Sequence, residues 1–208
     1  MKHEKNWATF AEKFDRLQTY VVGQKTMALL REKIETLHAL GNLVEFGCGS
    51  GVYTDSLTKV ADHVTATDVA DDMLHIARQK LERHHNVRLE QRDCYDSTYP
   101  HSTFDTVFMA NLIHVVHDPA KALNEAHRIL KEHGKLVVLS FTADGMTLFD
   151  RIGLIYRYLK AFGAPPRKGT QFTLASLTDF VNTHGFSVQD ASLIGHKTKA
   201  IFLVAKKQ

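Results

Sequence analysis

Residues 44–51 read Val-Glu-Phe-Gly-Cys-Gly-Ser-Gly, and this stretch decides the fold. It follows a short apolar run and precedes a helical pattern, so it predicts a bend between a strand and a helix. Glycines at alternate positions let the backbone approach a ligand with no Cβ in the way. The start of the helix behind them presents free N–H groups. In an open α/β sheet such a bend lies at the carboxyl end of a strand, where ligands bind.

The sequence on both sides of this bend alternates between strand-like and helical patterns. Short apolar runs typical of buried strands cover 42–47, 63–69, 87–93, 104–111 and 135–141. Helical patterns lie between them, near 52–60, 71–84 and 118–132. The alternation predicts an α/β fold with a doubly wound, Rossmann-like sheet that is mostly parallel and has helices on both faces.

The two ends of the chain flank this core, which we place at residues 41–141. Apolar side chains at helical spacing predict an N-terminal helical cap over 1–40, and they include Trp7, Phe10, Phe14, Leu17 and Val21. Two helical patterns, at 146–162 and 173–184, fill an insertion over 142–185. Strand-like runs at 186–194 and 200–206 predict an antiparallel C-terminal hairpin within 186–208. The 208 residues therefore form a single domain.

Composition excludes several classes of protein. Lys and Arg total 26 against 23 Asp and Glu, a formal charge of +3 that is spread along the chain. This is too small a surplus for a nucleic-acid footprint. No apolar run is long enough to span a membrane, and the charged N-terminal stretch does not resemble a signal peptide. Two cysteines without a CxxC pair favour a reducing, cytoplasmic location.

The glycine spacing restricts the ligand of the bend. A dinucleotide fingerprint would place its third glycine at Val52 or Thr54, and no lysine follows Gly51 as a P-loop requires. Glu45, just before the bend, would repel a phosphate and attract an ammonium group. The pattern therefore indicates a nucleoside that carries a positively charged amino acid.

Two further acids lie where such a nucleoside would need them. Asp68 ends the second predicted strand, a position from which a carboxylate accepts both ribose hydroxyls. Asp93 ends the third, where it could accept the exocyclic amine of adenine beside the backbone of Cys94. A turn-forming role for Asp93 is the alternative.

Together these residues resemble the class I S-adenosylmethionine-dependent methyltransferases. The resemblance rests on the spaced set Glu45, Gly47, Gly49, Gly51, Asp68, Asp93 and Phe104-Asp105, with Arg-Ile-Leu-Lys-Glu-His-Gly at 128–134. It covers roughly residues 40–141 and looks closest to the small-molecule branch that includes the ubiquinone and menaquinone enzymes. It implies S-adenosyl-L-methionine as cofactor, S-adenosyl-L-homocysteine as product, and a strand order of 3-2-1-4-5-7-6.

The resemblance also implies a role for each matching residue. The methionyl end would bind Glu45 and the backbone of 47–51, including Cys48, and the ribose would bind Asp68. The adenine would lie between Val69 and Met73, with its edge on Asp93 and Cys94, and Asn111 and Ile113 would line the floor beside the sulfonium. Phe14-Asp15 stands where the family has Tyr-Asp, and Tyr20 is the candidate replacement for that hydroxyl.

Methyl transfer is an in-line displacement in which the protein supplies position and a dry site. A thiolate acceptor needs no base, but an oxygen or amine acceptor does. His114 follows the fourth strand and is the candidate base, with simple packing against the cofactor as the alternative. His114 and His117 lack the spacing of a zinc motif, so we expect no metal.

The acceptor is expected to be a small molecule. In the resembling family the 146–163 region covers the substrate, and Phe149, Tyr156 and Phe162 there suggest an apolar or aromatic one. An ordinary sheet-covering helix is the alternative. Two other functions stay open, a nicotinamide-dependent reductase on the same fold and a non-catalytic protein that binds S-adenosylmethionine or its product. We expect the protein to be a monomer or a homodimer.

Overall fold

The computed structural model describes residues 14–164 and 169–208, with Phe14 described by its backbone alone. Its helices are α1 (Phe14–Val22), α2 (Gln24–Glu35), α3 (Thr54–Leu57), α4 (Asp71–Leu81), α5 (Pro119–Ile129), α6 (Leu148–Phe162) and α7 (Leu174–Asn182). Its strands are β1 (Asn42–Phe46), β2 (His63–Asp68), β3 (Val87–Gln91), β4 (Phe104–Ala110), β5 (Leu130–Thr142), β6 (Phe186–Ile194) and β7 (Lys199–Lys207).

All seven strands join one sheet in the order β3-β2-β1-β4-β5-β7-β6. The first five are parallel, while β7 lies antiparallel to both β5 and β6. This confirms the predicted mixed sheet and its strand order. The order reverses between β1 and β4, and the bend after β1 therefore lies at the switch point where open α/β sheets bind ligands.

The sheet is buried on both faces, which explains the continuous apolar runs of its central strands. Alternate side chains of β4 enter opposite cores: Val107 and Met109 pack on one face, Phe108 and Ala110 on the other. Helices α5 and α7 cover the first face, and α2, α3 and α4 cover the second. Burial on both sides fixes the strand register, because a shift by one residue would exchange the two faces.

Several predicted helices are shorter in the structure, and the one expected near 71–84 ends at Leu81. The pattern at 118–132 was expected to be helical to its end, but α5 stops at Ile129 and β5 starts at Leu130. His133, at φ 60°, bends the strand there. The pattern at 52–60 yields only Thr54–Leu57, because Asn86 Nδ2 donates to the carbonyls of Thr58 and Ala61 and holds the following residues in a turn.

The N-terminal cap is seen in part. Helices α1 and α2 confirm helical structure over 14–35, whereas Trp7 and Phe10 lie outside the described residues. Helix α1 packs against α6, and Arg157 Nε of α6 donates to the carbonyl of Val21 at 3.0 Å. The cap and the insertion therefore support each other.

The insertion corrects one expectation. An ordinary sheet-covering helix would bury its apolar stripe, but in α6 the stripe faces outward and only Phe162 is buried. The reason is that the opposite side of the helix, which carries Arg157, makes the contact with α1. Helical periodicity identifies an apolar face but not the direction in which it points.

The buried face of β4 gives a stability test. Phe108 is fully buried, so Phe108→Ala should lower the free energy of unfolding by about 3–5 kcal/mol through lost packing and a residual cavity. Phe149, which is 86% exposed, is the matched control, and Phe149→Ala should change that free energy by less than about 0.5 kcal/mol. Urea unfolding measures both, and similar losses in the two variants would contradict the described packing.

Candidate active site

The bend after β1 has the backbone that its glycines permit. Gly47, Gly49 and Gly51 have φ values of 70°, 56° and 79°, in the left-handed region that residues with a Cβ rarely adopt. The N–H of Gly51 donates to the carbonyl of Cys48 at 3.0 Å, and the N–H of Cys48 donates to Thr67 of β2 at 2.8 Å. The bend is thus closed on itself and tied to the neighbouring strand.

The three glycines differ in their surroundings. A Cβ at Gly47 would lie 2.8 Å from Leu112, and one at Gly51 would lie 3.1 Å from Leu81. A Cβ at Gly49 would meet nothing within 4 Å. A Cβ at Gly47 or Gly51 would therefore have to displace a leucine side chain, while Gly49 borders open space in which a ligand could lie.

Asp68 joins the ends of β1 and β2 at this open space. Its Oδ2 accepts from the N–H of Gly49 at 2.9 Å, and its Oδ1 accepts from the N–H of Ala70 at 2.9 Å. One carboxylate thus fixes both the glycine bend and the entry to α4. The predicted ribose acceptor lies directly beside the bend, as a ribose-binding role requires.

Glu45 lies beneath the bend and is only 1% exposed. Its Oε2 accepts a hydrogen bond from Thr54 Oγ1 at 2.6 Å. Burial is the main reason that the pKa of Glu45 rises to about 7, and the nearby charge of Asp68 adds to the rise. A buried acid in this state would be stabilised as an anion by a cationic group bound close to it.

Helix α1 closes over the bend through Asp15, a residue absent from the predicted site. Asp15 accepts a hydrogen bond from Ser50 Oγ and forms an ion pair with Lys80 of α4. Sequence reasoning noted Asp15 only as half of the Phe14-Asp15 pair. Its partners are 35 and 65 residues away along the chain, and no local pattern signals such contacts.

Two other residues of α1 differ in exposure. Gln18 is only 8% exposed, and its Oε1 has no hydrogen-bond partner among the described residues. Tyr20, the predicted replacement hydroxyl, is 44% exposed and lines an open cleft of about 410 Å³ together with Asp15. The structure thus places Tyr20 on the outer side of the cap, and Gln18 is a buried polar group that the sequence did not single out.

The end of β4 supplies a second group of polar atoms. Asn111 has a φ of 56°, and its buried Oδ1 has no partner within the described ranges 14–164 and 169–208. Its side chain lies near the hydroxyl of Tyr53, a buried residue just after the bend. The neighbouring Ile113 is fully buried in the core with no exposed side chain. Asn111, unlike Ile113, offers an unused polar atom.

His114 is partly buried and contacts β5. Its Nδ1 lies 2.9 Å from Ser140 Oγ, and burial lowers its pKa to about 4. The imidazole is therefore neutral at pH 7. His117 has a different partner, because its Nδ1 lies 2.8 Å from the hydroxyl of Tyr95.

The four residues predicted to contact adenine differ in their exposure to solvent. Val69 is 51% exposed just past β2, whereas Met73 is buried in the first turns of α4. Asp93 is exposed, and its Oδ1 accepts from the N–H of Tyr95 at 2.9 Å, which is the turn geometry considered as the alternative. Cys94 is buried against the core.

A larger surface cleft, of about 700 Å³, lies at the other edge of the sheet near Ser102, which precedes β4. Its cations already have partners: Arg128 pairs with Glu125, and Lys207 pairs with Glu132. The bend, with its open space and its uncompensated acid, is therefore the better candidate site.

Comparison with known proteins agrees with this geometry. Residues 44–138, which include the bend, Asp68 and the end of β4, match the family described as a methyltransferase domain. The chain is thus similar to methyltransferase domains over this part of its length. This similarity agrees with the resemblance read from the sequence and gives no support to the nicotinamide-dependent reductase.

Individual relatives are distant. The chain is 25% identical over 151 residues to the demethylmenaquinone methyltransferase of Staphylococcus epidermidis, and the match covers 70% of this chain and 63% of that protein. A methyltransferase structure from Thermotoga maritima shares 21% identity and a TM-score of 0.74, over 97% and 98% of the two chains. The cyclase SpnF shares 16% identity and a TM-score of 0.72, over 98% and 97%. These two structures show the fold alone.

The raised pKa of Glu45 predicts a pH dependence. Between the ordinary value of 4.5 and about 7, the folded chain keeps a proton that the unfolded chain has lost. Wild-type stability relative to Glu45→Gln should therefore fall by about 1–3 kcal/mol as the pH rises through this window. Urea unfolding of both proteins at pH 5, 6, 7 and 8 measures the difference, because other groups titrate alike in the two. Parallel stability profiles would show that Glu45 has an ordinary pKa.

Proposed function

We propose that this chain is an S-adenosylmethionine-dependent methyltransferase that acts on a small-molecule acceptor. The observation that carries the proposal is the placing of Glu45 and Asp68 around a glycine bend whose Gly49 borders open space. Two carboxylates at one bend favour a cationic ligand and oppose a pyrophosphate. The family match over residues 44–138 supports the same conclusion.

The residues at the bend fit the cofactor in three ways. The buried acid Glu45 lacks a cationic partner in the interactions that shift its pKa, so an ammonium group near it would be bound favourably. The carboxylate of Asp68 is held in place by the N–H groups of Gly49 and Ala70, where it could accept the hydroxyls of a ribose. The Oδ1 of Asn111 is a buried acceptor with no partner among the described residues. When bound, the cofactor supplies a methyl group activated by a sulfonium.

We assign proton removal to His114 where the acceptor is a phenol, alcohol or amine. Burial keeps its imidazole neutral, and Ser140 Oγ at Nδ1 orients the ring. The imidazole would accept the acceptor's proton, while the cofactor, when bound, would supply the methyl group and retain the electron pair of its methyl–sulfur bond as a neutral thioether. A base with a pKa near 4 is weak in water, so position rather than basicity is its contribution.

The acceptor that we propose is an apolar or aromatic small molecule. The relative from Staphylococcus epidermidis is named for demethylmenaquinone, and this compound is the first acceptor to test. We place the reaction in the cytoplasm, in a monomer or homodimer that does not bind nucleic acid. Unbridged, buried Cys48 and Cys94 suit a reducing compartment.

A second function has a specific observation behind it. The cyclase SpnF has the same fold at a TM-score of 0.72, so the fold alone does not require methyl transfer. A protein that binds the cofactor without transferring its methyl group is the alternative.

A transfer assay separates these functions. Wild-type protein with methyl-labelled S-adenosylmethionine and a panel of acceptors, demethylmenaquinone, phenols, amines, thiols and carboxylates, should give one acceptor that gains a single methyl mass. Asp68→Ala should reduce turnover at least tenfold, because it removes an acceptor at the bend and leaves the N–H of Gly49 unpaired. Tight cofactor binding with no methylated product from any acceptor would favour the non-catalytic alternative.

A pH–rate profile that tests His114 must cover a different pH range from one that tests an ordinary histidine. Because its pKa is near 4, a flat rate profile between pH 5.5 and 8 is expected even if it is the base. His114→Ala should lower kcat about 10²–10⁴-fold at pH 7 with little change in cofactor affinity. Ser140→Ala is the matched control for ring orientation and should lower kcat less. A kcat for His114→Ala within twofold of wild type would assign the residue to packing.

A further inference from the structure

The outer face of α6 is the largest exposed apolar feature of the described residues. The described residues include nine large apolar side chains that are exposed, and six of these belong to α6. They are Leu148, Phe149, Ile152, Ile155, Tyr156 and Leu159, with exposures from 48% to 86%. Contiguous apolar surface of this kind marks an interaction site, whereas single exposed side chains do not.

These side chains form one stripe. At 100° per residue they occupy an arc of about 120° along the four turns of α6. The opposite side of the helix is attached to the protein, since Arg157 Nε donates to the carbonyl of Val21 of α1. The stripe therefore faces away from the fold, and no described residue covers it.

Positive charges border the stripe. Arg151 and Lys160 are exposed at its two edges, by the same helical spacing. The turn between β6 and β7 lies beside the helix, because Arg157 Nη2 contacts Thr198 at 3.5 Å, and it presents Lys197 to solvent.

The acid of α6 does not balance these charges. Asp150 is its only acidic residue, and it is bound to the N-cap Thr147 at 2.7 Å. A second copy of the chain docked on this face would bring cations against cations. An anionic surface that also accepts apolar side chains is complementary to it.

We propose that α6 docks this protein on a bilayer that contains anionic headgroups. The apolar stripe enters the boundary between headgroups and acyl chains, and Arg151 and Lys160 contact the headgroups. No described helix is long and apolar enough to cross a bilayer, so the contact is peripheral. Because α6 packs on α1, and Asp15 of α1 contacts Ser50 at the bend, docking also brings the candidate site close to the lipid surface.

Vesicle flotation tests the proposal without any measurement of activity, so its outcome is independent of the proposed methyl transfer. Wild-type protein should float with phosphatidylcholine vesicles that contain phosphatidylglycerol, and less with phosphatidylcholine alone. High salt should weaken the binding. Phe149→Ser combined with Ile152→Ser should reduce it at least about tenfold, and Arg151→Gln with Lys160→Gln should remove the preference for anionic lipid.

Leu29→Ser on α2 is the matched control, since Leu29 is an exposed apolar residue of another helix, and its binding should equal that of wild type. Thermal unfolding should be unchanged in all variants, because the substituted side chains are exposed. Absence of wild-type binding would overturn the proposal, as would equal binding by the Phe149/Ile152 double variant. A dimer in light scattering that this double variant dissociates, without vesicle binding, would assign the face to a second copy.

Discussion

The Asp68 carboxylate is the contact on which the candidate site depends. Asp68 is the last residue of β2. Its carboxylate accepts hydrogen bonds from the N–H of Gly49, in the bend after β1, and from the N–H of Ala70, just before α4. Parallel pairing of β1 with β2 brings these groups to the same edge of the sheet. The sheet order, the left-handed glycines and the open space at Gly49 are thus joined through one charged side chain.

The electrostatics of the bend oppose stability and favour binding. Glu45 is almost fully buried near the negative charge of Asp68, which folding alone would not select. A third acid, Asp15, lies above the bend but is neutralised by Lys80. Local conflict of this type is expected at functional sites, where a ligand supplies the missing charge. The conflict identifies the bend more directly than the size of any surface cleft.

Much of the fold was predictable from sequence, for physical reasons that concern particular elements. The runs that became β1 and β4 are buried on both faces, so they read as continuous apolar stretches. The glycine bend, Glu45 and Asp68 could be placed because strand ends of a parallel sheet meet at one edge. The contact of Asp15 with Ser50 could not, since it joins distant segments. The outward face of α6 and the early start of β5 at Leu130 were also decided by tertiary contacts.

Calorimetric titration of the wild-type protein with S-adenosylhomocysteine, adenosine and NAD tests the central claim most directly. The three share the adenosine moiety, and only the first adds an amino acid whose ammonium group could bind the buried acid. If the acidic glycine bend binds that group, S-adenosylhomocysteine should bind at micromolar concentration and at least about a hundredfold more tightly than adenosine, a difference of about 2.7 kcal/mol. NAD should bind no better than adenosine. Equal affinities for S-adenosylhomocysteine and adenosine, or tight binding of NAD, would contradict the account.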